Sequence, residues 1–320
     1  MKLRHILSWK TLFYELALPA LRRLGPRRCD SILTLLGRAS LLWPGKRRAL
    51  IQALRRARWV LRTDWDPKAL RPELAANAVR FLARDYPLDV EEDAEVFSRF
   101  DVTGFEPLEQ ALAERRGAIL VGCHLGAHIS GVHWLYRRGV PLRMLVQRPR
   151  HVSHALDRQF DRDEPHLQSS FFLRRDLTAG EATERLLRAR AALRDGLAVY
   201  LAGDIPWTGQ NSRPGRLVGQ YRKFLSVWTD LATITGVPVF FVFCNHLPGG
   251  RYALRIDAPR RVASGKESEA VTEYLARLDA EIGQHPTDAV AHLLWPCYGP
   301  PHLGSRGVAT RPSRRVATIS

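Results

Sequence analysis

Lysine is scarce in this 320-residue chain, six against 43 arginines, a bias that points to a GC-rich bacterial genome and carries no information about substrate. Cysteine is scarce too. Cys29, Cys123, Cys244 and Cys297 lie far apart without any CxxC spacing, so neither a zinc site nor a disulfide framework is indicated, and the four read as reduced thiols of a cytoplasmic protein. A G-x-S-x-G elbow, a G-x-x-x-x-G-K phosphate loop and a dinucleotide fingerprint are all missing, which leaves serine hydrolases, NTPases and dehydrogenases without support. No apolar run reaches the roughly 20 residues a spanning helix needs. Lys10 and Glu15 interrupt the first run, Pro19 follows it, and the second, Ser31 to Trp43, is short and contains Arg38. No cleavable signal peptide is evident, and no internal repeat is found.

What is present is enough apolar sequence, 45% of the residues, to bury a sizeable core. One large α/β domain with a helical N-terminal extension is the economical reading. The net charge of +17 is unevenly placed: residues 1–63 hold 15 Lys or Arg against Glu15 and Asp30, leaving the remainder nearly balanced. Trp9, Leu12, Phe13 and Leu16 recur at i, i+3, i+4 and i+7, with Lys2, Arg4, Lys10, Arg22 and Arg23 nearby. Such a basic amphipathic stretch favours an anionic membrane surface over nucleic acid, for which no recognition motif accompanies the charge; the bland alternative is a helix that packs on the core. The expected division is a membrane-associating segment over 1–43, an α/β domain over 44–300 and a disordered Ser, Arg, Gly and Thr-rich tail over 301–320.

Along the chain, the patterns predict basic helices over 46–62 and 72–86. Then follow a helix over 107–116, a strand over 118–123, a helix over 127–138 and a strand over 142–147. This alternation predicts a mainly parallel central sheet flanked by helices. Thr178 and Glu181 form a capping box for a helix ending near Gly196, before a strand over 197–202. Residues 205–222 read as a long loop and substrate gate. A helix over 224–235, a buried strand over 238–244, an outer strand over 252–256 and a helix over 267–282 complete the expectation.

The chain is organised around Gly117 to Gly131. An apolar strand there ends at His124, and the carboxyl edge of such a sheet is where ligands bind. Gly126 permits a close turn, and the helix after it directs N–H groups to the same place. On position alone the histidine is more often structural than catalytic. Asp204 reaches the same edge after its own strand, whereas no carboxylate occurs between Glu114 and Asp157. His124 and His128 stand at i, i+4, but with no Glu between them and no third ligand they do not suggest a metal. Cys123, adjacent to His124, would face the opposite side of the strand and be buried.

The strand, His124, Leu125 and Gly126 resemble the catalytic motif of the lipid A late acyltransferases, the lauroyl and myristoyl transferases of Gram-negative bacteria, over about residues 45–295. In that motif an Asp or Glu follows the histidine after four residues; here Ile129 holds the position. Arg174-Arg175-Asp176-Leu177 resembles the family's Arg-x-Asp-Leu element, and Ala202-Gly203-Asp204 its strand-ending Ala-x-Asp. Departures follow: Ile205-Pro206 replace Gln and a second Asp, and Pro286-Thr287-Asp288-Ala289 with His292-Leu293-Leu294 stand where the family has Pro-Glu-Gln, an aromatic and His-Arg-Arg. Loss of the arginine pair removes a phosphate clamp and widens the range of acceptors to lysolipids or carrier-linked metabolites.

The resemblance implies an acyltransferase moving a fatty acyl group from acyl carrier protein or coenzyme A to a hydroxyl or amine of a lipid or amphiphile, without another cofactor. His124 would be the general base and Asp204 its partner. Gly126, His128 and Arg174 would face substrate; Arg174 is otherwise a surface charge paired with Asp176. Phe171, Phe172 and Trp228 would line an acyl channel, or simply pack in the core. The implied location is peripheral, on the cytoplasmic face of the bacterial inner membrane. The competing reading is a degenerate relative acting as a lipid-surface binding or scaffolding protein.

Overall fold

The computed structural model describes residues 12–83, 92–147, 165–171, 178–207 and 211–294. Trp9, Phe172, the Arg174 element, the end of the helix expected to reach residue 86, Cys297 and the tail over 301–320 lie outside them.

A π-helical turn, Leu12–Ala17, leads into α1 (Leu18–Arg22), followed by α2 (Pro26–Ala39), α3 (Pro44–Leu61) and α4 (Pro67–Ala83). Helices α2, α3 and α4 each begin with proline at the first position, where the missing N–H has no partner to lose. The α/β part then runs α5 (Asp93–Ser98), β1 (Phe100–Thr103), α6 (Glu106–Ala113), β2 (Ala118–Gly122), α7 (His128–Arg137), β3 (Leu142–Met144), α8 (Ala179–Arg194) and β4 (Ala198–Ala202). A hairpin of β5 (Ser212–Leu217) and β6 (Gln220–Leu225) precedes α9 (Val227–Thr235), β7 (Val239–Leu247), β8 (Arg251–Ile256), α10 (Glu267–Gln284) and α11 (Val290–Leu294).

Six strands form one sheet in the order β1-β8-β7-β2-β4-β3, and every pairing is parallel except β7 with β8. The expected mainly parallel sheet with flanking helices and N-terminal helices is therefore present. Its centre is buried on both faces, which is why β2, β4 and β7 read as unbroken apolar runs. Ile119, Val121, Val199 and Leu201 pack against α8, α9 and α10 on one side, while Leu120, Tyr200 and Phe240 pack against α6 and α7 on the other.

Three expectations change. Residues 212–225 are a hairpin rather than open loop. Its turn is Val218-Gly219, both at positive φ (46° and 74°), without the Asn-Gly or Asp-Gly pair that marks such turns in sequence. Phe224 and Leu225 belong to that hairpin, so α9 starts at Val227 instead of residue 224. The strand at 251–256 is not outermost, because β1, which the sequence reading passed over, pairs along its other side. Alternation in β1 is masked by its brevity, four residues with one buried.

The N-terminal helices dock on the core through a buried polar network. Arg80 on α4 donates to Asp30 and Thr34 of α2, to Glu73 and to Asn77, and Asn77 in turn donates to Asp288 near the chain's other end. Gly37 makes the α2–α4 approach close: a Cβ there would lie 2.4 Å from Ala76 Cα. Among the described residues no helix is long and apolar enough to cross a membrane.

Candidate active site

Strands β2 and β4 are neighbours in parallel register, ending with Gly122 opposite Ala202, and Gly203 N–H extends the ladder by donating to Gly122 O at 2.9 Å. His124 and Asp204 each lie two residues past that last pair, so the register alone places them face to face. Tyr274 Oη fixes the same strand end by donating to Gly122 O at 2.7 Å. Gly203 is required by crowding. A Cβ there would come within 2.7 Å of Val121 Cγ1 and 2.8 Å of Tyr274 Cε1.

Asp204 is fully buried and holds His124 at two points: the backbone N–H donates to Oδ2 at 2.8 Å, and ring Nδ1 lies 2.9 Å from Oδ1. A second imidazole, His292 on α11, reaches Oδ2 through Nε2 at 2.9 Å and is itself buried. Burial by itself would raise the Asp204 pKa, but the His124 charge and the hydrogen bonds from His124 and His292 outweigh it and hold the carboxyl far below the usual carboxylate range. An ionised carboxylate only accepts, so His124 Nδ1 and His292 Nε2 both carry hydrogens directed at it. The neutral His124 ring then has its lone pair on Nε2. Its side chain is 23% exposed, so the ring sits at the rim and is not sealed in the core.

Strand β7 repeats this construction. Asp288 Oδ2 accepts from the His246 backbone N–H at 3.0 Å, and its Oδ1 lies 3.1 Å from His246 Nδ1 while also accepting from Asn77. His124 and His246 stand at the carboxyl ends of the adjacent parallel strands β2 and β7, and Asp288 comes from the segment before α11.

Gly126 adopts φ +54° where the loop after His124 presses on β7, and a Cβ would lie 2.5 Å from Cys244 O. Its N–H donates to Asp288 O, and that of Ala127 to Cys244 O. His128 opens α7 and is buried, its ring 5.1 Å from that of His124 and 5.9 Å from Phe81. Arg174 lies outside the described residues. Cys123 is buried as its strand position implied, and burial, reinforced by the Asp204 charge, pushes its thiol well up and away from the reactive thiolate; burial does the same to Cys244. Phe171 and Trp228 belong to the packed core, Trp228 edge-on to Phe241 and Tyr274. Among the described residues no group of three or more His, Cys, Asp or Glu could hold a metal ion.

The model of the bacterial lipid A biosynthesis acyltransferases matches residues 1–291. The chain belongs to that family. No curated protein matches it. The family match takes in the first 44 residues, which the sequence resemblance left out, so the N-terminal helices are part of the shared unit. As a member of an acyltransferase family acting in lipid A biosynthesis, the protein is assigned to acyl transfer onto a lipid acceptor.

Sequence reasoning paired His124 with Asp204, noted Asp288 and His292 only as departures from the family pattern, and passed over His246. Their signal was present in part: Asn245-His246 ends an otherwise apolar strand, and Asp288 and His292 are four residues apart after α10.

Proposed function

We propose that this family member transfers a fatty acyl group from a thioester carrier, acyl carrier protein or coenzyme A, to a hydroxyl or amine of a lipid or amphiphile. The observation that carries the reading is the His124 Nδ1 to Asp204 Oδ1 contact of 2.9 Å at the sheet's carboxyl edge. Asp204 fixes the tautomer in which Nε2 is basic, so His124 takes the acceptor's proton as its oxygen or nitrogen attacks the thioester carbonyl. When the tetrahedral intermediate collapses, the C–S bond breaks and the imidazolium returns that proton to the departing thiolate. Amides in the first turn of α7 are suited to the oxyanion. Gly126 and His128 border the reacting position, and Arg174, carried over from the family resemblance, is assigned to substrate.

In this scheme the acidic partner comes from just past the neighbouring strand, and Ile129 needs no substitute within its own helix. No cofactor beyond the thioester enters this scheme. We assign the protein to the cytoplasmic face of the bacterial inner membrane, held peripherally by residues 1–43. This placement is supported by the basic charge of the segment and by exposed Leu12, Leu16, Leu35 and Trp43. The test is thiol release from palmitoyl-CoA and from palmitoyl acyl carrier protein in the presence of anionic phospholipid vesicles. Release by the native protein that is lost in His124→Ala is the expected result. A folded native protein that releases no thiol from either donor, yet floats with the vesicles, favours the binding or scaffolding role instead.

A further inference from the structure

Catalytic accounts built on one histidine and one carboxylate leave His292 without a purpose. It is 1% exposed by side chain and donates Nε2–H to Oδ2 of Asp204, whose other oxygen receives His124 Nδ1–H. The carboxylate between the two rings is entirely buried, and the ring nitrogens and the His124 backbone N–H give it three donors. An ionised Asp204 accepts from both rings and from the backbone N–H at once. The His124 backbone N–H already holds Oδ2, and His292 adds a side-chain donor to that same oxygen, so the carboxylate cannot turn about its Cβ–Cγ bond without breaking two buried charged hydrogen bonds there.

We propose that His292 is a positioning residue, the far member of a His124–Asp204–His292 relay, which keeps Asp204 aimed at His124 Nδ1. It touches neither substrate in this scheme and acts only through Asp204. Its placement fits the task. α11 follows the segment carrying Asp288, whose carbonyl receives Gly126 N–H, so the turn holding the loop after His124 also delivers His292 beneath it. His292 also lines a narrow cleft with Pro206, Leu217 and Phe224 of the β5–β6 region. The inference rests on the proposed role of His124 for its kinetic consequence and on geometry alone for its structural one.

The experiment compares His292→Leu with His292→Gln, whose amide nitrogen can occupy the place of Nε2. With palmitoyl-CoA as probe, His292→Leu is expected to lower kcat for thiol release about 10- to 100-fold, the worth of one hydrogen bond to a charged group, with KM nearly unchanged. His292→Gln should recover most of that loss. In parallel, the downfield proton resonance of His124 Nδ1–H, assigned as the signal lost in His124→Gln, is followed by NMR. It should shift or broaden in His292→Leu and return in His292→Gln. A His124 resonance unmoved in a folded His292→Leu overturns the inference whether or not the protein cleaves thioesters. A kcat loss that glutamine does not relieve, or one accompanied by an equal rise in KM, overturns it as well. If native protein shows no thiol release, the proposed reaction fails and the NMR comparison alone decides the relay.

Discussion

His124, Asp204 and His292 form a buried anion bracketed by two rings, and its ionisation couples folding to pH. Because the Asp204 pKa in the folded chain is held below its unfolded value near 3.9, the unfolded state binds more protons between those two values. The stabilisation is therefore complete above the ordinary carboxylate range and is lost as pH falls through it toward the lowered folded value. Thermal melts of Asp204→Asn and native protein should keep a constant gap from pH 7 down to about 5 and draw together as pH falls from there toward about 2; a gap still constant at the lower end contradicts the assignment. The pairing of His124 with Asp204 was legible in the sequence because both residues end apolar runs that read as strands. The contribution of His292 was not, since it comes from a short helix 88 residues further on whose placement only tertiary packing decides.

At the level of elements, the site depends on glycines that allow backbones to approach. Gly126 combines φ +54° with a Cβ position 2.5 Å from Cys244 O. Gly126→Ala is expected to destabilise the fold by about 1–3 kcal/mol through strain and overpacking, read as a lowered denaturation midpoint. In Gly203→Val the clash with Val121 and Tyr274 falls between β4 and Asp204, so thiol release should drop more than stability does. The hairpin makes a separate prediction. Gly219 lies at φ +74° with Val60 of α3 2.8 Å from its Cβ position, so Gly219→Val should destabilise by a similar amount and loosen β5–β6, detectable as faster amide exchange there. This hairpin was hidden from sequence reading because Pro214, Gly215 and several arginines obscure its alternation. The parallel strands were visible because burial on both faces demands continuous apolar sequence.

For the whole molecule, α2 and α4 are held together by the Arg80 cluster and the Gly37 contact, and α4 reaches the rest of the chain through Asn77 and Asp288, while Leu35, Leu42 and Trp43 face outward amid Arg38, Lys46, Arg47 and Arg48. The sequence marked this region as basic and amphipathic; it could not show that α2 seats on α4, because that contact relies on two small residues, Gly37 and Ala76, with no periodic signature. Leu42→Glu with Trp43→Glu should reduce flotation with anionic vesicles and leave stability unchanged, and added salt should weaken native binding. The account as a whole turns on one claim, that a carboxylate just past β4 serves a histidine just past β2. Thiol release from palmitoyl-CoA by native protein, His124→Gln, Asp204→Asn and the double variant measures it most directly. Residues acting as one unit should give large single losses, about 10³-fold or more, with the double variant no slower than the worse single one. Full activity in Asp204→Asn, or losses that multiply, would contradict it.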